Sequence, residues 1–496
     1  MIEKVPFLTI LWLLPLLGIL GIYTVEIKSN FAQKSIRLIA FVTTLICLAY
    51  VLYLYQVFDP SVEKFQFVEK RSWLPFLYLR YYLGIDGLSL VFIMLTAFIF
   101  PIAIMSSWNT INYRYRQFYA LLLISESCLF ATFMSLDMIM FFIFFEGILI
   151  PMFFLISIWG GENKVYASFK LILYTLSGSV LMAVAIIAMS TQMDSSSLKL
   201  AMNFNFPIKM QYILWFAFFL SFAIKTPIIP FHTWLPDAHV QAPAAGSIIL
   251  AGILLKLGGY GFLRFSLSIF SDATIVFAPF MRTLGVISII YGSLVALAQK
   301  DIKKLIAYAS IAHMGYVILG IFTLTADGVN GAIFQMLSHG VISSALFMSV
   351  GFLYHQTHTR DIKAYGGLSS ITPHFSFLFF IFTLGNLSLP LTSGFVGEFM
   401  VLLSAYSISP YLTFLGGTGI IFSATYSLYL YYKIFLGKIH GTDHSAIKDV
   451  KGIEKIGMSI MATLILLLGI YPKKTISIFE SFSKEIESTY KGSKPS

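Results

Sequence analysis

Apolar residues run through this chain in long, nearly continuous stretches rather than in the alternating or one-sided patterns of a soluble fold. About 20 such residues in α-helix cross a ~30 Å hydrocarbon core, and the chain divides into fourteen stretches of that kind, from 6–24 and 37–55 to 455–471. Two are broken by proline beside a charge: the seventh (211–229) at Lys225 in AIKTPIIPFHTWLP, the twelfth (371–408) at Glu398 in NLSLPLTSGFVGE. Pro227 and Pro390 lack a backbone donor, which predicts that the carbonyls of Ala223 and Asn386, four residues earlier, are left to bind water or a side chain. Pro230 extends the first break. No segment reads as a strand, and 56–82 reads as a long loop. The predicted class is an all-α polytopic membrane protein.

The two breaks also predict a duplication. Helices four to eight and nine to thirteen form two five-helix sets with the break at the same place in each. An odd number of crossings makes the second set enter from the opposite face, the arrangement of an inverted repeat with sites at its discontinuous helices. This divides the chain into an N-terminal three-helix segment (1–110), a first repeat (117–265), a second repeat (275–437) and a C-terminal helix with its tail (438–496). The ninth helix is placed at 277–298, entered through Pro279 and Arg282.

Composition excludes the soluble classes. Charged residues make up 11% and mean hydropathy is +0.83, where a soluble domain carries about 25% charge. The net charge of +10 is dispersed over loops, so it orients the chain in a bilayer rather than binding nucleic acid. Fourteen crossings place Lys28, Lys34, Arg37, Lys164, Lys300, Lys303, Lys304 and Arg360 on one face, cytoplasmic or matrix. Residues 1–24 read as a retained anchor, without a cleavage site. Cys47 and Cys128 fall in different helices and offer no disulfide framework, zinc set or iron–sulfur set, and no glycine-rich nucleotide loop follows a strand. No cofactor or metal is expected on this chain.

The chemistry rests on ionisable groups inside the apolar stretches, which are costly there and mark pathways by default. Glu146 stands in MIMFFIFFEGILIPMFFLI, where Pro151 frees the carbonyl of Gly147; its plain alternative is a neutral acid bonding a neighbouring helix. Lys225 is the nearest opposite charge. Burial favours the neutral amine and a nearby carboxylate the charged one, so the pair forms a candidate proton switch. Lys256 lies among small residues in LAGILLKLGGYG, with snorkelling as its plain alternative. His313 and His339 are mid-helix, either hydrogen-bonded core residues or relays that exchange protons near neutrality. Glu398 closes the line. Glu126, in LLLISESCLF, is either part of an entry path or a partner for its flanking serines, and Asp86, in LGIDGLSL, reads first as a helix cap.

FFEGILIPMFFLISIWG, the segment from KTPIIPFHTWLPDAH to KLGGYG, QKDIKKLIAYASIAHMGY and GNLSLPLTSGFVGEF resemble the antiporter-like proton-pumping subunits of respiratory complex I (NADH:quinone oxidoreductase), in the pattern of chain M or mitochondrial subunit 4. The resemblance implies fourteen helices with two inverted five-helix repeats and a hydrophilic line at mid-membrane. It implies that Glu146 modulates Lys225, and that Lys256 relays toward a terminal residue on helix twelve. Glutamate there, as at Glu398, marks chain M; sister chains and sodium/proton antiporter subunits carry lysine. It further implies sister antiporter-like chains as partners, with FMN, iron–sulfur clusters, NADH and quinone in other subunits, and a mitochondrial inner membrane or a bacterial plasma membrane. The alternative is an Mrp-type cation/proton antiporter subunit with no redox partner.

Overall fold

The computed structural model describes residues 5–26, 31–62, 65–74, 78–438 and 447–491; Lys28, named above, lies outside them. Two membrane-length helices, α1 (Phe7–Thr24) and α2 (Ala32–Val57), are followed by a feature the sequence reading missed. Within the expected loop, β1 (Gln66–Leu74) and β2 (Leu79–Ile85) pair as an antiparallel hairpin. The aromatic and β-branched residues of FQFVEKRSWL and LRYYLGI favour a pleated surface. The alternation is hard to read because β1 is interrupted by register shifts and carries three charges in a row, of which Lys70 and Arg71 are exposed while Glu69 turns in to accept from the Leu8 and Thr9 amides of α1.

Asp86 then caps α3 (Gly87–Ser106) through the Ser89 amide, and α4 (Tyr115–Met134) returns. The fifth crossing is α5 (Met138–Gly147) with α6 (Leu149–Trp159), reset at Ile148; α7 (Lys164–Met193) and the short α8 (Leu198–Ala201) follow. The seventh crossing breaks as expected. α9 (Ile208–Lys225) ends at the lysine itself, and the chain turns before α10 (Trp234–Gln241). The eighth crossing, 244–267, joins α11 (Ala244–Ile249) and α12 (Leu255–Gly261) with π-helical turns at Leu250–Leu254 and Phe262–Leu267. Next come α13 (Ser271–Leu297), α14 (Ile302–Ile321) and α15 (Ala326–Thr357). α13 begins earlier than expected and carries Pro279 inside it. The twelfth crossing is split into α16 (Pro373–Asn386) and α17 (Ser393–Tyr406), and α18 (Pro410–Phe435), α19 (Gly452–Ile470) and the amphipathic α20 (Pro472–Lys491) complete the chain. Twelve helical segments are long and apolar enough to cross a membrane alone; the split pair α16/α17 and α18 bring the described crossings to fourteen.

Two backbone brackets reveal an internal correspondence. Met138 N donates to Ser196 O (2.8 Å) and Leu198 N to Leu136 O (2.9 Å), while Ile302 N donates to Arg360 O (3.0 Å) and Ile362 N to Lys300 O (2.9 Å). Every position is shifted by the same 164 residues: 138 to 302, 196 to 360, 198 to 362, 136 to 300. In each bracket an aspartate caps the next helix, Asp137 on the amides of Ile139 and Met140, Asp301 on those of Lys303 and Lys304. Five crossings separate the brackets, so they lie on opposite faces, as in an inverted duplication.

Asp137 is fully buried and also accepts from the Arg80 amide and the Ser196 hydroxyl; a further aspartate, Asp361, caps only the single 3-10 turn Ile362–Ala364 beside the second bracket, holding one amide, that of Lys363, at an exposed position. Asp137→Ala is expected to lower stability by at least the ~0.5–2 kcal/mol of a lost cap, with a further penalty from the Arg80 amide left unpaired. Asp361→Ala is expected at the low end of that range; thermal unfolding of the two variants in the purified assembly measures the difference.

Candidate functional site

Lys225 closes α9 at the proline break, pointing its amine at the junction of α5 and α6. Nζ donates to Phe145 O at 3.0 Å and stands 3.5 Å from Glu146 Oε1, with the Phe145 ring centroid 3.9 Å away. Side-chain exposures of 4% and 12% place this pair inside the protein. The carbonyls that bind Lys225 are therefore not those of its own broken helix. Ala223 O, expected to be left for water or a side chain, instead accepts from the backbone Ile228 N at 3.0 Å because the turn after Lys225 folds back as a wide loop. At the second break the expectation holds: Asn386 O accepts from Ser423 Oγ at 2.9 Å, and Asn386 Nδ2 donates to Ser427 Oγ at 2.8 Å.

Lys256 is fully buried between the two π turns, which excludes snorkelling. Its amine donates to Ala251 O, in the first π turn, and meets His339 Nδ1 of α15 at 2.7 Å. π turns interrupt the regular ladder and concentrate at functional positions; here one supplies the carbonyl that holds the lysine. Gly258 lets this helix approach the first break. A Cβ there would stand 2.6 Å from Phe222 O and closer still to Thr226 Oγ1.

Beyond His339 the polar groups resume across one gap at His313. His313 on α14 pairs through Nδ1 with Glu398 Oε1 of α17 at 2.7 Å, Gln335 Nε2 donates to the same oxygen at 3.0 Å, and Tyr426 OH lies 3.4 Å from His313 Nε2. The two histidine rings are 5.7 Å apart between centroids. Between them and the second break is a cavity of about 10 Å³, bounded by His313, Gln335, His339, Asn386 and Ser388, the size that holds one water. His339 Nε2, Gln335 Oε1 and Ser388 Oγ are buried without a protein partner, the polar complement such a water requires.

Pro227, Pro230 and Pro390 lie in the turns that place these groups. The two accessory candidates stand apart. Asp86 is a cap, as read, and also forms a two-pronged ion pair with Arg264, Oδ2 to Nη1 at 2.7 Å and Oδ1 to Nη2 at 2.6 Å, a bond the sequence reading did not foresee. Glu126 is fully buried and neither carboxylate oxygen has a partner. Its serine neighbours bond elsewhere, Ser125 to Leu121 O and Ser127 to Trp12 O, which removes the expected hydrogen bond.

Three buried groups were missed. Lys303, counted among the loop cations, is buried and donates to Ala242 O at 2.8 Å. His239 is fully buried and stacked on Phe347, with centroids 4.3 Å apart. His232 is buried beside Tyr291. The histidines sit in PFHTWLPDAHVQAP, where closely spaced prolines read as loop, and Lys303 adjoins other charges in QKDIKK. A polar cleft with Glu162, Gln241, Lys300, Asp301 and Arg360 in its walls opens nearby, with Arg360 donating to Val240 O at 2.6 Å.

A family profile described as NADH:quinone oxidoreductase/Mrp antiporter matches residues 135–423, and one for the amino terminus of NADH-ubiquinone oxidoreductase chain 4 matches 33–132. NADH-quinone oxidoreductase subunit M of Rickettsia prowazekii is 44% identical over 478 residues, 96% of this chain and 97% of that one. NADH-ubiquinone oxidoreductase chain 4 of Arabidopsis thaliana is 45% identical, covering 92% of each. A chain of respiratory complex I from Thermus thermophilus superposes with a TM-score of 0.86 at 28% identity, over 97% of this chain and 99% of that one. The Mrp complex of Dietzia shares the fold at 20% identity and a TM-score of 0.81, over 97% of this chain and 54% of that one.

Gly258→Ala is expected to force the eighth helix away from the break after α9. Overpacking of this kind costs about 1–3 kcal/mol; a lower melting temperature and less assembled complex on native gels are the expected readouts.

Proposed function

The chain belongs to the NADH:quinone oxidoreductase/Mrp antiporter family, in its subunit M/chain 4 branch, and on that premise we propose that Glu146, Lys225, Lys256, His339, His313 and Glu398 form the route along which it moves a proton. It is a membrane-arm subunit of proton-translocating respiratory complex I, set among sister antiporter-like chains in an energy-transducing membrane. The observation that carries the proposal is the buried line from Lys256 through His339 and His313 to Glu398, with 2.7 Å contacts at its two ends. Titratable groups in hydrocarbon are retained where they line such a path.

In this reading the two ends of the line are alternately charged. When Glu146 draws near Lys225 the ammonium form is favoured; when it withdraws, Lys225 releases its proton toward Lys256. Lys256 hands a proton to His339 Nδ1, and His339 Nε2 faces the small cavity through which one water would reach His313. His313, donating through Nδ1, leaves Nε2 to accept, so the imidazole transfers charge to Glu398 without leaving its place. The cleft at Glu162 and Asp301, followed by Lys303 and His239, is the approach from the face rich in loop cations. Glu126 and Asp86 fall outside the route. The coupling needs only two arrangements at each pair, biased by the neighbouring pair.

The repeats, 117–265 and 275–437, are on this proposal two copies of one unit meeting at Lys256 and His339, with 1–110 and 438–496 packed outside them; the two backbone brackets support it. Electron transfer is assigned to other subunits, where FMN, iron–sulfur clusters, NADH and quinone would be held. Cys47 and Cys128 lie on separate helices, and no cluster of three or more His, Cys, Asp and Glu among the described residues is placed to bind a metal. The relatives at 44–45% identity are named for complex I, which leaves the Mrp-type reading with the shared family profile and a fold likeness at 20% identity.

Lys225→Ala and Glu146→Gln are expected to assemble and to cut proton pumping by reconstituted complex by ~10²-fold, the lower end of what a positioned proton-transfer group contributes. Pumping at the unaltered rate in both sinks the route. Tyr426→Phe, which removes the 3.4 Å contact to His313 and the hydroxyl contact to Ser423, is expected to retain most of the activity, checked in the same vesicles by dye quenching.

A further inference from the structure

α2, α3, α19 and α20 enclose an apolar groove of about 290 Å³. Leu52, Tyr55, Val91, Phe98 and Leu464 line it, and Lys474 stands at its mouth with Thr475. Its floor is α15, through Leu337 and Val341, which lie one turn apart with His339 midway between them in sequence. A second apolar compartment continues past Phe98 and Leu464 toward the other end of α19, where Lys455 lines it. The two lysines thus bracket α19, whose 19 residues span ~28 Å, close to the ~30 Å hydrocarbon thickness. Neither lysine is in an ion pair among the described residues.

We propose that the groove is a binding site for an anionic phospholipid, its acyl chain between α2, α3 and α19 and its phosphate on Lys474. Three features select a lipid over a protein helix. A helix is about 10–12 Å wide with its side chains and needs an unbroken trough, whereas Phe98 and Leu464 border both compartments and form a waist between them. The cations stand only at the ends, at the depths of the two headgroup layers, as negative phosphates require. The groove side of Leu52 and Tyr55 is open, at 46% and 38% exposure, so a chain enters sideways from the bilayer. The waist marks where chains from the two leaflets meet. The outer compartment, walled by four helices and floored by a fifth, is the better enclosed. A chain seated there backs the helix that carries His339 and fills the groove behind it.

The test uses the intact complex in vesicles containing a phosphatidylglycerol with a photoreactive acyl chain, with the matching phosphatidylcholine as control. Labelling mapped by peptide mass spectrometry is expected on 91–98 and 464–468, several-fold stronger for phosphatidylglycerol. Lys474→Glu is expected to abolish that preference. Leu52→Trp, which narrows the entrance from an exposed position, is expected to lower labelling by both lipids while native gels show full assembly. Equal labelling in wild type and both variants overturns the proposal, as does capture of a neighbouring protein chain, rather than lipid, by a photoreactive group placed at Leu464. None of these readouts depends on pumping, so the lipid site and the proton route fail separately.

Discussion

The 2.7 Å contact between Lys256 and His339 is the constraint around which the membrane core is arranged. Each group is costly alone in hydrocarbon, and each is buried without a carboxylate beside it. They are tolerated because a π turn presents Ala251 O to the amine, and because α15 brings an imidazole from 83 residues away. The rest follows from keeping that contact. The eighth crossing must be small-sided to sit against both the first break and α15, and Gly252, Gly258, Gly259 and Gly261 each abut a neighbouring helix.

The ends of the line obey the same physics with different partners. At one end an amine and a carboxylate are held at 3.5 Å by a backbone carbonyl and an aromatic face. At the other, an imidazole and a carboxylate are joined at 2.7 Å and steadied by Gln335 and Tyr426. In both pairs the second carboxylate oxygen, Glu146 Oε2 or Glu398 Oε2, has no partner; what separates them is that the first contact is longer, while the second carboxylate is also held by Gln335.

Most of the candidate line was readable because of where its residues stand. A carboxylate in MIMFFIFFEGILIPMFFLI or a lysine in LAGILLKLGGYG has no bland setting in which to be overlooked. Lys303 and His239 were overlooked for the opposite reason: other charges surround one and prolines the other, so burial was invisible. The hairpin was missed because its interrupted pairing and its run of three charges, Glu69 to Arg71, blur the period of two. The carbonyl of Ala223 was misjudged since sequence shows which donor proline removes, but not which later amide replaces it.

Sequence alone determined the number of crossings, the two breaks and the identity of the ionisable groups. Hydrocarbon thickness fixes the length of each apolar stretch, proline removes a donor wherever it occurs, and a charge among apolar residues announces itself. Which groups touch was decided only by the folded chain. Glu398 meets His313 from 85 residues away and Lys256 meets His339 from 83, and those distances depend on π turns, glycine contacts and the rotation of each helix. No periodicity encodes such rotations; they are set by how fourteen crossings fit against one another.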